Sequence, residues 1–132
     1  MSGFQPFEII PGDPTQSLVI LGDHAMNRLP PEYGDLGLPA SAFTRHIAYD
    51  IGVEDVTRKL SQRLGVPAVM GCFSRLLIDP NRGEDDPTLI MKLSDGMVIP
   101  ANHPLSDEER ERRLNRYHRP YHDAVASTIA ET

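Results

Sequence analysis

Leu60-Ser61-Gln62-Arg63-Leu64-Gly65-Val66-Pro67-Ala68-Val69-Met70-Gly71-Cys72 decides the fold, because its apolar period changes partway. Up to Leu64 the apolar residues recur every three or four positions. Tyr49, Val53, Val56, Leu60 and Leu64 make one stripe, and Arg58, Lys59, Gln62 and Arg63 fall on the other side. That spacing predicts an amphipathic helix over residues 44–64, with Thr44 as its candidate N-cap. Gly65 suits the left-handed residue that closes a helix, and Pro67 prevents continuation. From Ala68 onward the residues are apolar or small and read as a buried strand over 68–78. Upstream, Ser17-Leu18-Val19-Ile20-Leu21 reads as another strand over 17–22. Strand, helix and strand with a short return form a βαβ unit, a parallel pair joined by a right-handed crossover. The expected class is α/β, a mixed, mostly parallel sheet flanked by helices.

Outward from this unit the signals are weaker. Residues 1–16 carry Pro6, Pro11, Gly12 and Pro14 and read as an irregular lead-in; residues 28–43, with three prolines and two glycines, read as a long loop. Asp95-Gly96 between apolar runs is a hairpin signal. Ser106-Asp107-Glu108-Glu109 is a capping box that opens a last helix, with a kink expected at Pro120. A layered α/β fold that ends on a helix leaves open a shortened or incomplete version of something larger. The chain of 132 residues is read as a single domain over 1–132.

Composition excludes several classes. A formal net charge of −6 argues against non-specific nucleic-acid binding and against an anionic membrane surface. It is compatible with a small anionic ligand held by a local cluster of arginines. The single cysteine, Cys72, rules out an internal disulfide and is expected to be buried and unreactive. No run reaches transmembrane length and the N-terminus does not resemble a signal peptide, so a cytoplasmic location is the default expectation.

Two polar clusters follow the two strands. Gly22-Asp23-His24-Ala25-Met26-Asn27-Arg28 comes after the first, and Ser74-Arg75-Leu76-Leu77-Ile78-Asp79-Pro80-Asn81-Arg82-Gly83 after the second. In open α/β sheets, ligands bind beyond the carboxyl ends of strands. Arginine presents a planar fork of donors that matches a carboxylate, so Arg75 and Arg82 beside Asp79 and Asn81 make a candidate anion pocket. The plainer reading is an Arg–Asp pair that ties down a loop. His24 is a candidate metal ligand or acid–base group. His46 and Asp50, four apart, read either as a ligand or supporting pair or as a helix-surface pair. His122 lies on an otherwise core-facing helix, His118 is expected to face solvent, and His103 is expected in a turn. No established metal, triad or phosphate-loop motif is present.

His24 to Pro30, Tyr33 to Leu38, His46 to Gly52, Ser74 to Arg82, and Arg116-Tyr117-His118-Arg119-Pro120-Tyr121-His122 together resemble, in order, the N-formylglutamate amidohydrolase family. The resemblance implies a fold similar to that of zinc carboxypeptidases and aspartoacylases. It implies metal-assisted hydrolysis of the amide bond of an N-acyl amino acid, with zinc or another divalent metal as cofactor. It implies His24 and His46 as metal positions and Arg75 and Asp50 as catalytic ones. Asn27, Arg28, Arg75, Asp79, Asn81 and Arg82 are implied to bind substrate, with Asn81 and Arg82 on a carboxylate and Asp79 orienting the arginine. The related peptidases carry a glutamate three residues after the first histidine; here Asn27 stands there, a poor zinc ligand, so the ligand set must be completed elsewhere. Family members are also usually longer, which implies a chain shortened at its C-terminus.

Two hypotheses remain open on sequence. One is an amidohydrolase, or the N-terminal part of one, with a polar cleft lined by His24, Arg75, Asn81 and Arg82. The other is a non-catalytic binding or assembly module of the same fold, completed by a partner or by a second copy as a homodimer.

Overall fold

A computed structural model describes residues 4–132. In chain order the elements are β1 (Phe7–Ile10), β2 (Ile20–Gly22), α1 (Val53–Leu64), β3 (Ala68–Gly71), β4 (Leu93–Ser94), β5 (Met97–Val98), α2 (Asp107–Arg113) and α3 (Arg119–Ala130). A single π-helical turn, Leu114–His118, joins α2 to α3. The main sheet has the order β1-β3-β2. β2 runs parallel to β3, with Ile20 opposite Ala68, and α1 forms the crossover. β1 runs antiparallel to β3, with Phe7 opposite Gly71. The α/β class and the mixed sheet are as expected; among the described residues parallel pairing is confined to β2–β3, so a mostly parallel sheet is not confirmed.

β1 corrects the irregular lead-in expected over 1–16. Phe7-Glu8-Ile9-Ile10 is a four-residue edge strand between Pro6 and Pro11. Proline is tolerated at such edges because no ladder partner needs its missing N–H. The strand expected over 68–78 stops at Gly71. Leu76, Leu77 and Ile78 are fully buried in the main core without belonging to a strand.

α1 begins at Val53 and not at residue 44. Ala40–Thr44 form a separate short turn, and Gly52 is left-handed with φ 89°, which interrupts any helix running through it. The end is as expected: Gly65 has φ 67° and its N–H bonds the Ser61 carbonyl. The face that packs is not the expected apolar stripe. Thr57 and Ser61 are buried, whereas Val56, Leu60 and Leu64 are 56%, 41% and 49% exposed. Gly22 permits this close seating, since a Cβ there would lie 3.0 Å from Thr57 Oγ1. On one flank of α1, Arg58 reaches Glu8 of β1 with contacts of 2.7 and 2.9 Å. The stripe lies on the opposite flank of the helix and is exposed. Leu60→Lys is therefore expected to change stability by no more than about 0.5 kcal/mol in urea unfolding, against the ~2–5 kcal/mol typical of truncating a core leucine.

The two faces of β3 divide the core. Met70 packs with Ala25, Met26 and Cys72 on the α1 side. Val69 joins the larger cluster with Phe73, Tyr117 and Tyr121, under α3. The Asp95-Gly96 hairpin forms between β4 and β5, with both turn residues at positive φ (49° and 77°). Ser106 caps α2 by accepting the Glu109 N–H at 3.1 Å. The irregularity expected at Pro120 takes the form of the π-helical turn just before it. Among the described residues, no helix is long and apolar enough to cross a membrane.

Candidate functional site

β2 and β3 are parallel, so the segments leaving their carboxyl ends emerge on the same side of the sheet. The first carries His24 and the second carries Arg75, Asp79, Asn81 and Arg82. They meet at Asp79, which is 1% exposed. Its Oδ1 lies 2.6 Å from His24 Nε2 and accepts the Asn81 backbone N–H at 2.9 Å. Its Oδ2 accepts from Arg75 Nη2 at 3.0 Å and from Arg82 Nε at 3.2 Å. Burial pushes the Asp79 carboxyl up, but the His24 bond, the Asn81 N–H and the His24 and Arg75 charges outweigh it. The net effect lowers its pKa to about 2. His24 is also buried, with Nδ1 3.3 Å from Asp50 Oδ2. Burial alone would depress the imidazole pKa; the bond and charge of Asp79 and the charge of Asp50 raise it overall.

A cavity of about 480 Å³ opens beside this cluster. Asn81 and Arg82 line it, together with Asp23, His118, Tyr121 and His122. His24 and Arg75 are not on its wall. Arg75 Nε is buried without a hydrogen-bond partner among the described residues.

The other sequence candidates lie elsewhere. His46 is exposed and joins no hydrogen bond or ion pair among the described residues. The Asn27 side-chain amide donates to the Phe43 carbonyl at 2.5 Å, an internal tie. Arg28 is exposed and lines a different cavity with Phe7, Glu8 and Cys72. His118, expected to face solvent, is 4% exposed, because the π-helical turn carries it inward. Cys72 is buried, and burial pushes its thiol up to about 11, so it is inert at neutral pH. Sequence reasoning missed Asp23, which accepts from the Tyr121 hydroxyl. Its position at a strand end was the only available signal.

The donor set bears on the implied metal. Two ligands each bound at roughly 2.0–2.1 Å to a tetrahedral ion lie about 3.4 Å apart. The separation of His24 Nδ1 and Asp50 Oδ2, 3.3 Å, matches that spacing. Asp79 on Nε2 is the carboxylate that orients a metal-binding imidazole from behind. The same separation is that of an ion pair, so His24 and Asp50 offer two donors at most and the described residues do not complete a ligand set. Among the described residues no group of three or more histidine, cysteine or carboxylate side chains could hold an ion.

The fold and cluster define an α/β protein with a carboxylate-centred polar site beyond the ends of two parallel strands. The family model for N-formylglutamate amidohydrolase matches residues 16–132, and the chain belongs to that family. It is similar to a gene product of Agrobacterium tumefaciens of solved structure, with 34% identity over 97% of this chain and a TM-score of 0.87. It is also similar to the solved N-formylglutamate amidohydrolase of Ralstonia eutropha JMP134, with 25% identity over 95% of this chain and a TM-score of 0.67. This chain spans 51% and 52% of those two chains, about half their length. No functionally curated protein matches it.

Proposed function

We propose that this chain belongs to a hydrolase that cleaves the amide bond of a small anionic N-acyl amino acid, N-formylglutamate being the first candidate. The reading rests on one observation above all: a buried carboxylate, Asp79, holds His24, Arg75 and Arg82 in one cluster beside a cavity whose wall carries Asn81 and Arg82. Family membership supports it, and the Ralstonia relative carries that activity in its name. Arg82 and Asn81, on the cavity wall, hold the substrate carboxylate. Arg75 stands off the cavity wall; bonded to Asp79, it adds positive charge to the site at a distance. Asp79 fixes the direction of both arginines and the orientation of His24.

His24 and Asp50 would offer two of the donors to zinc or another divalent ion. When bound, such an ion polarises the carbonyl and lowers the pKa of an attached water. Binding there would require His24 to give up its Nδ1 proton, with Asp79 keeping the one on Nε2.

The test is metal content and formate release from N-formylglutamate, on the wild type and on His24→Ala. The expected result is about one zinc per chain, as one tetrahedral site would take. His24→Ala is expected to lose that zinc and to release formate at least ~100-fold more slowly. A wild type that takes up no divalent metal sinks the reading.

A further inference from the structure

We infer that His118 and His122 clamp the backbone of the Pro80–Arg82 turn, and so act as positioning residues for the Asn81 and Arg82 side chains. Their role in substrate binding rests on the function proposed above; the clamp itself does not.

His118 Nε2 lies 2.9 Å from the Arg82 carbonyl oxygen, and His122 Nε2 lies 2.8 Å from the Pro80 carbonyl oxygen. A carbonyl only accepts, so both rings donate an Nε2–H. The two bonds bracket Asn81. The rings stand four residues apart on one helical face, with centroids 4.5 Å apart. Between them in sequence, Arg119 donates to both Glu84 oxygens, at 3.1 and 2.7 Å, which adds a tie just beyond the turn.

On its opposite side the turn is held by Asp79, through the Asn81 N–H and Arg82 Nε. The same short segment is therefore gripped by Asp79 on one side and by the π-helical turn and the first turn of α3 on the other. Asn81 and Arg82 leave it into the cavity that His118 and His122 also line. Backbone direction here decides where those two side chains point.

The helix is shaped for this presentation. The π-helical turn Leu114–His118 inserts a residue and rotates the helix downstream of it by about 100°. Leu114 and Tyr117 stay in the core while His118 turns toward the Arg82 carbonyl. His118 Nδ1 is buried and has no partner among the described residues, so the ring is fixed as the neutral Nε2–H tautomer. Burial and the His122 charge, acting against the Arg82 carbonyl and Glu84, keep its pKa low, in keeping with that state.

Amide hydrogen exchange tests the clamp, with KM for N-formylglutamate as a second readout. The Asn81 and Arg82 amides report directly, since both bond Asp79. In His118→Ala their exchange is expected to rise about tenfold, the effect of one lost hydrogen bond, while β3 amides stay protected. His118→Gln, which restores an N–H in reach of the carbonyl, is expected to restore protection. His122→Ala, at an exposed residue with little effect on folding, is expected to loosen the same two amides. KM should rise more than kcat falls in both alanine variants. Unchanged exchange at Asn81 and Arg82, or a rise spread evenly over the chain, overturns the clamp. Local loosening in a protein whose wild type does not hydrolyse N-formylglutamate supports the clamp and overturns the proposed substrate instead.

Discussion

Asp79→Asn is expected to lower the thermal midpoint by roughly 10 °C, even though asparagine has nearly the same shape. The carboxylate is buried and faces two guanidiniums and an imidazole. Removing one partner of a buried charge cluster typically costs about 3–5 kcal/mol, because the opposite charges stay behind unpaired. Asparagine keeps an acceptor for the Asn81 N–H, so the lower end, ~3 kcal/mol, is expected; in a domain of this size each kcal/mol moves the midpoint by about 3–4 °C. The loss should depend on pH in a defined way. The Asp79 pKa is depressed to about 2 from an ordinary 3.8. Its stabilisation is thus present above pH ~4 and fades as pH falls toward 2. His24 acts at the other end. Its pKa is raised, so its share is complete below its ordinary value and fades as pH climbs through the higher native one. Urea midpoints of wild type and Asp79→Asn should therefore differ most between pH ~4 and ~6.5 and converge toward pH 2. A gap that persists undiminished at pH 2 would mean that the cluster stabilises through shape and not charge.

Arg113→Met should destabilise by about 3–5 kcal/mol, a fall of roughly 10–15 °C in thermal midpoint. Arg113 is 2% exposed and lies in α2. It donates to Glu109 Oε2 at 2.9 Å, to Asn102 Oδ1 at 2.6 Å and to the Leu77 carbonyl at 3.0 Å, and its guanidinium sits 4.8 Å from the Tyr33 ring centre. One planar cation therefore joins α2, the loop before it and the buried segment that leads to Asp79. Methionine fills the volume but leaves the Leu77 carbonyl and the Asn102 side-chain oxygen without this donor and removes the cation facing Glu109, which keeps the Tyr33 hydroxyl. Arg113→Lys should recover less than half of the loss, since an ammonium cannot reach divergent acceptors in one plane. The same melts can follow Tyr33, whose hydroxyl donates to Glu109 at 2.7 Å and whose pKa burial and that bond push up to about 12. Removing the neighbouring guanidinium is expected to raise it further, read by alkaline absorbance titration.

Signals carried by a few adjacent residues were legible in the sequence. Gly65 before Pro67, Asp95-Gly96 and Ser106 with Glu109 each became the cap or turn their chemistry requires. The parallel unit was legible because a helix between two apolar runs has few ways to return. Three elements were not. β1 exists only because β3 pairs with it, and four residues between prolines carry little pattern of their own. The start of α1 depended on a left-handed Gly52, which composition does not reveal. Periodicity marked Val56, Leu60 and Leu64 as the packing face, yet Gly22 lets small Thr57 and Ser61 take that place. In the candidate site, Arg75, Asp79 and Arg82 lie within one short segment and were visible together. The approach of Asp50 to His24 and the reach of His118 and His122 to the Pro80–Arg82 turn were not, because each is set by tertiary packing.

The strand order β1-β3-β2 also governs how the chain meets the solvent as it is made. The middle strand is the last of the three to be synthesised. At about 5–20 residues per second, Phe7–Ile10 and Ile20–Gly22 spend on the order of seconds outside the ribosome before Ala68–Gly71 arrives to join them. Both are apolar segments with unsatisfied backbone groups throughout that interval, and such strands pair with whatever edge is nearest. A nascent chain of this order is thus exposed to aggregation until β3 emerges, and its yield should respond to translation speed and holding chaperones more than to the stability of the finished domain.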